Sequence, residues 1–151
     1  MLICEVATVK KVFRNQKGQA VVELAIVLPI LVFLFMAILE GGRIFTGYLE
    51  IQTAARDGAR YASIRCNQDD VPDGQLQAWK ADYLVPWIQS RLTTVNGGDV
   101  SVGLSRQSST DGTEVWVEVT LSYPLDIKTP IIGTILGNPF YLKVAMAMRT
   151  E

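Results

Sequence analysis

GQAVVELAIVLPILVFLFMAIL, residues 18–39, decides the fold of this chain. From Ala20 to Leu39 every residue is apolar except Glu23 and the imino acid Pro29. About 20 such residues form a helix of roughly 30 Å, enough to cross the hydrocarbon layer of a bilayer. A charge at mid-membrane costs from ~2.5 kcal/mol upward, so Glu23 needs either a partner or a short reach to the headgroups, from which it lies about one helical turn.

On the N-terminal side, Lys10, Lys11, Arg14 and Lys17 stand against Glu5 alone, while Glu40 and Arg43 balance each other just past the run. The positive-inside rule therefore predicts a cytoplasmic N-terminus and an extracytoplasmic remainder. The run is long, carries an acid near its start and has no small-residue cleavage site at its end, unlike a secretory signal peptide. Met1 to Cys4 superficially match a lipid-attachment motif, but no apolar segment precedes the cysteine.

On the C-terminal side, Ile44, Tyr48, Ile51, Ala55, Gly58 and Ala62 recur at spacings of four and three. That spacing predicts one helix from near Ala20 to about Ile64, bent but not ended at Pro29 and Gly41-Gly42. The small residues Ala54, Ala55, Gly58, Ala59 and Ala62 suit a helix laid closely on a sheet. After the polar turn at residues 67–74, Leu76, Trp79, Tyr83, Leu84, Trp87, Ile88 and Leu92 predict a second helix, with Asp73 as N-cap, Pro86 as a kink or restart and Asn96-Gly97-Gly98 as its close.

From Asp99 the period changes to two. Val100, Val102 and Leu104, then Val115, Val117, Val119 and Leu121, predict a hairpin turning at Asp111-Gly112. A loop through Pro130 to Leu136 leads into a last strand, Phe140 to Arg149, with Leu142, Val144, Met146 and Met148 on one face. The expected class is α+β: a long N-terminal helix, transmembrane in its first half, packed on a small antiparallel three-stranded sheet with a second helix. The divisions are a basic leader at 1–18, a transmembrane helix at 19–40, and an extracytoplasmic domain at 41–151 that includes the helix extension to about 64.

Composition narrows the chemistry. A net charge of -1 without clustered cations on the folded part argues against nucleic acid. The chain has no histidine, the commonest general base and metal ligand, and its serines have no such partner, so the expectation is no enzyme, no cofactor and no small-molecule substrate. Asp69, Asp70 and Asp73 lack the spacing of a calcium loop and read as solvated turn acids. Cys4 and Cys66 flank the apolar run and would face opposite sides of a membrane; Cys66 reads as a small, half-buried residue at a helix end, or else as an unpaired thiol open to an intermolecular disulfide. Trp79 and Trp87 fall on an apolar stripe, whereas Trp116 points opposite its apolar neighbours and is the better exposed contact. Arg56, Asp57 and Arg60 are either a solvated face or the groups that pin the helix to the domain.

Taken in order, these motifs resemble a known family. Lys17-Gly18-Gln19-Ala20-Val21-Val22-Glu23 resembles the processing site of type IV pilin-like proteins. More narrowly, GQAVVELAIVLP, AARDGARYA at Ala54–Ala62 and the ending LKVAMAMRTE resemble the TadE-like proteins, minor pilins or pseudopilins of the tight-adherence (Tad) pilus. Leu24 stands where the major pilin has Tyr, and the chain is longer than a major pilin, which favours a minor subunit. The resemblance implies removal of the leader by a prepilin peptidase between Gly18 and Gln19. Glu23 would then pair with the new amine of Gln19, in the same chain or a neighbouring subunit. It also implies other pilin or pseudopilin subunits and the Tad assembly platform as partners, and a place in the cytoplasmic membrane or a surface pilus. The rival expectation is an uncleaved, signal-anchored extracytoplasmic binding domain.

Overall fold

The computed structural model describes residues 4–66, 71–109 and 114–150. Asp69, Asp70 and the turn at Asp111-Gly112 lie outside them. The chain divides into two compact units, Met1–Leu39 and Glu40–Glu151. The first helix, α1, runs from Cys4 to Arg65, so it begins well before the expected start near Ala20. Pro29 lies inside the helix without ending it. In the first unit the apolar run covers its side chains with nothing: Leu24, Ile26 and Leu39 are 62%, 64% and 71% exposed. Among the described residues one helix is thus long and apolar enough to cross a membrane, and the side chains of its apolar run are exposed.

The second unit is an α+β domain. Strands β1 (Ser101–Ser108), β2 (Val115–Leu125) and β3 (Phe140–Arg149) form an antiparallel sheet in the order β1-β2-β3. Register places Leu104 opposite Val119, Val119 opposite Met146 and Leu121 opposite Val144, so the alternating apolar residues share one face. Against that face lies the outer half of α1, through Ile51, Ala54, Ala55, Ala59 and Ala62, all buried. The approach is close enough that a Cβ on Gly58 would stand 3.1 Å from Ile88 Cδ1 and 3.7 Å from Val119 Cγ1. Tyr48 is 38% exposed and falls off this seam; Gly47 takes the inward position instead, beside Leu142, Leu125 and Val95.

The expected second helix is helical from Asp73 to Gln89, short of the expected Leu92, and it is irregular. A 3-10 turn at Asp73–Gln75 leads into α2 (Leu76–Trp79), a π turn at Lys80–Leu84 and α3 (Val85–Gln89). Pro86 has no N–H and its ring crowds the carbonyl four residues back; the wider turn, closed by Val85 N donating to Lys80 O, accommodates both and lets α3 restart. Asp73 is the first residue of the 3-10 turn, not the N-cap, because its carboxylate is taken by Arg106. Tyr83 is 57% exposed, off the buried stripe of Leu76, Leu84 and Ile88. Asn96 caps a 3-10 turn at Gly97–Asp99, accepting from Gly98 N at 3.4 Å.

Two stretches after the hairpin's first strand also differ from expectation. Strand β2 continues through Tyr123-Pro124 to Leu125; β1 has already ended opposite Ser122, so Pro124 sits where that flank of β2 is an edge and tolerates a missing donor. Residues Pro130–Leu136 form a short helix, α4, where a loop was expected. Its sequence signals are Pro at the helix start and Gly137 just past its end, at φ +84°. Because Gly58 has tight neighbours and Gly47 only ordinary contacts, Gly58→Leu is expected to destabilise the second unit by about 1–3 kcal/mol, and Gly47→Ala to be neutral or stabilising by up to ~1 kcal/mol. Urea unfolding of the purified full chain in detergent, followed by tryptophan fluorescence, measures both.

Candidate functional site

The segment Gly18–Glu23 lies within α1. Gly18 is exposed and has open space where a side chain would be. Gln19 is exposed, and its Nε2 donates to Glu23 Oε1 at 3.2 Å, one helical turn away. Gln19 and Glu23 therefore do meet, through the side-chain amide rather than a terminal amine. The Gly18-Gln19 amide is held in helical backbone, and glycine is the residue that makes local unwinding there cheapest, by about 1 kcal/mol relative to alanine.

The charged residues farther along α1 stand apart from this segment. Asp57 reaches Arg91 at 3.9 Å with both side chains about half exposed, a screened contact that contributes little. Arg56 and Arg60 are exposed and make no ion pair among the described residues. Tyr61, between these charges and the domain, stacks on Trp87 with ring centroids 4.7 Å apart and on Trp79 at 6.0 Å; Arg91 lies 4.5 Å over Trp87. Both tryptophans are partly buried, while Trp116 is 40% exposed on the outer face of the sheet.

Three charged side chains that composition did not single out fasten the loops of the second unit. Glu40, 4% exposed, accepts from Arg43 Nη1 at 2.8 Å, from Thr129 Oγ1 at 3.2 Å and from Lys128 N at 3.4 Å, joining α1 to the segment before α4. Glu50 accepts from the backbone N–H groups of Thr93, Thr94 and Val95 and from the Thr93 hydroxyl. Burial pushes its carboxyl upward, but these hydrogen bonds outweigh that and hold it below the usual 4.5. Arg106 sits in the inward phase of β1, opposite Val117, with its side chain 5% exposed. It donates to Asp73 Oδ1 at 2.7 Å, to the carbonyls of Cys66 and Val71 at 2.9 Å each, and to Cys66 Sγ at 3.4 Å. A charge in phase with Val102 and Leu104 was the sequence signal for this role.

Cys66 is fully buried directly after α1. Burial pushes its thiol above the ordinary range, only partly opposed by the Arg106 guanidinium, so it stays protonated near neutral pH. A thiol so enclosed does not present itself for an intermolecular disulfide. Among the described residues no group of three or more His, Cys, Asp or Glu side chains converges as a metal site would require.

Replacing Arg106 by Met strands two carbonyls; the expected loss is about 2–4 kcal/mol, together with faster thiol labelling of Cys66 in the folded chain. Since Glu50 is held charged in the folded state, its contribution is present above the ordinary carboxyl value and is lost as pH falls through the lower folded value. Glu50→Gln is therefore expected to cost about 1–2 kcal/mol at pH 7, with the gap to wild type closing below pH ~4.5 in denaturant titrations run across pH.

No curated protein and no solved structure matches the chain. The model of the family described as TadE-like protein matches residues 18–60. That match begins at Gly18, takes in Gln19, Glu23 and the whole apolar run, and ends within AARDGARYA, with the final LKVAMAMRTE beyond it. Over residues 18–60 the chain is similar to the TadE-like proteins.

Proposed function

We propose that this chain is a pilin-like minor subunit, a pseudopilin, that takes part in assembling, priming or capping a Tad-type adhesion pilus. The observation that carries the reading is the TadE-like match beginning at Gly18, on a helix whose apolar side chains are uncovered by the rest of the chain. Residues 1–18 serve as a cytoplasmic leader, residues 19–40 cross the membrane, and residues 41–151 stand outside it as the pilin-like domain. A prepilin peptidase cuts between Gly18 and Gln19 at the cytoplasmic face. Gly18 supports the reading chemically, because it offers a side-chain-free bond that unwinds easily from its helix.

Cleavage turns Gln19 into a cationic N-terminus one turn from Glu23. The carboxylate then exchanges the neutral amide partner it has in the uncleaved chain for a charge, its own or that of a neighbouring subunit, and a charge-assisted bond is roughly twice as strong as a neutral one. The same helix serves first as substrate, then as membrane anchor, then as a packing surface between subunits and against the Tad platform. Arg56, Asp57 and Arg60 form the charged face of its outer half, available to steer that packing.

N-terminal sequencing of protein from its native envelope is expected to return a mature start at Gln19, and Gly18→Val to leave the leader attached. An intact leader on the wild-type chain in peptidase-competent cells would overturn the reading in favour of a signal-anchored binding domain. Glu23→Ala is expected to insert in the membrane normally but to be lost from sheared pili by about tenfold or more, the factor equivalent to ~1.4 kcal/mol; wild-type incorporation of that variant would refute the pairing.

A further inference from the structure

Two apolar surfaces of the second unit border the first turns of α1 beyond Leu39. One is α4, whose Ile131, Ile135 and Leu136 are 56%, 74% and 47% exposed. The other is an open groove of about 550 Å³ beside Gly41, walled chiefly by Phe45, Tyr48, Phe140 and Tyr141, with Phe45 62% and Tyr141 58% exposed. Exposed apolar surface concentrated in this way marks a contact with something other than water.

Glu40 ties the approach to α4 to the start of the outer half of α1. Glu40 follows Leu39 directly, and its carboxylate holds Thr129 and Lys128, the two residues before α4 begins at Pro130. Arg43, paired with Glu40, donates in turn to Asp126 O at 3.4 Å. Helix α4 is thus fixed within a side chain's reach of the residue at which the apolar run ends. A membrane span ending at Leu39 leaves residue 40 at the hydrocarbon boundary, which brings the N-terminal end of α4, tied to Glu40, close to the interfacial layer.

We propose that α4 and the Phe45–Tyr141 groove dock into the interfacial layer of the membrane, with lipid as their occupant. The proposal rests on the reading of residues 19–40 as the membrane span. The side chains fit that layer: Ile and Leu for the acyl boundary, tyrosine rings for the headgroup level, and the exposed Lys128 and Lys143 to extend toward anionic headgroups. Trp116 provides the contrast. It lies at the far end of β2 from Leu125, which pairs with Phe140, a separation of roughly 30 Å along the strand. The docked surface holds the domain at a defined height on the bilayer, and withdrawal of the subunit from the membrane uncovers it.

Nitroxide labels on the full chain in phosphatidylcholine–phosphatidylglycerol vesicles test this. Labels go on Val32→Cys, Trp116→Cys, Ile135→Cys and Tyr141→Cys in a Cys4→Ser background, with the unsubstituted background signal subtracted. Collision with oxygen, enriched in lipid, is compared with collision with a water-soluble nickel chelate. The expected oxygen-to-nickel ratio is highest at Val32, and at Ile135 and Tyr141 it is several-fold above that at Trp116. Nickel access at Ile135 equal to that at Trp116, with Val32 still in lipid, would overturn the docking and leave the span standing. Shielding of Ile135 from both reagents that grows with protein-to-lipid ratio would assign the surface to a second copy and overturn lipid as its occupant. Nickel access at Val32 would remove the span and this proposal with it.

Discussion

The second unit depends on how closely the outer half of α1 can approach the sheet. Three antiparallel strands with one apolar face are not stable in water unless a second layer covers that face. Here the layer is a helix whose inward residues are Ala54, Ala55, Gly58, Ala59 and Ala62, so its backbone comes down onto Val119 and leaves room for Ile88 to reach Gly58. Larger side chains along that line would separate the layers and open space over Val117, Val119 and Leu121, all fully buried. The irregular helical segment from Asp73 to Gln89 closes the remaining side of the core with Leu76, Leu84 and Ile88.

Around this seam, charged side chains fix what regular structure leaves loose. The segment Thr93–Val95 has backbone donors with no strand or helix to receive them, and one carboxylate on α1, Glu50, accepts from all three residues. Arg106 does the converse for the carbonyls of Cys66 and Val71 where α1 ends. Glu40 anchors the approach to α4 at the beginning of the same helical half. All three tethers involve α1 or its immediate continuation, so the domain is fastened to its helix at intervals along the packed length. That construction suits a domain carried and positioned by a helix, because force applied through the helix reaches every loop that is tied to it.

Glu23 presents a different case from these buried groups. It is exposed on the apolar run, with Gln19 as its partner among the described residues. An exposed carboxylate on an otherwise apolar helix keeps acceptor capacity that a single amide does not fill. The chemistry proposed for it therefore belongs to the assembly, in contrast to Glu40, Glu50 and Arg106, whose partners are internal.

Most of the architecture was legible from periodicity, since side-chain burial on one face imposes a spacing of 3.6 on helices and two on strands. The apolar run, the small-residue stripe of α1, the antiparallel strands and their inward residues all follow from that rule. The Gln19–Glu23 spacing of one helical turn was also visible, and the two side chains do meet within α1. Tertiary structure alone decided the polar tethers and two local choices of geometry. Glu40 and Glu50 look like ordinary surface acids in the sequence, and only the folded chain brings Thr129 and Thr93–Val95, distant in sequence, within hydrogen-bonding range. Asp73 could have capped its own helix, but a buried guanidinium on β1 competes for the same carboxylate and has it. Tyr48 and Gly47 differ by one position on α1, and the sheet's shape at Leu142 and Leu125 determines that the smaller residue faces in. Periodicity specifies which face is buried; which polar groups meet across the fold depends on contacts between segments far apart in the chain, which no local pattern encodes.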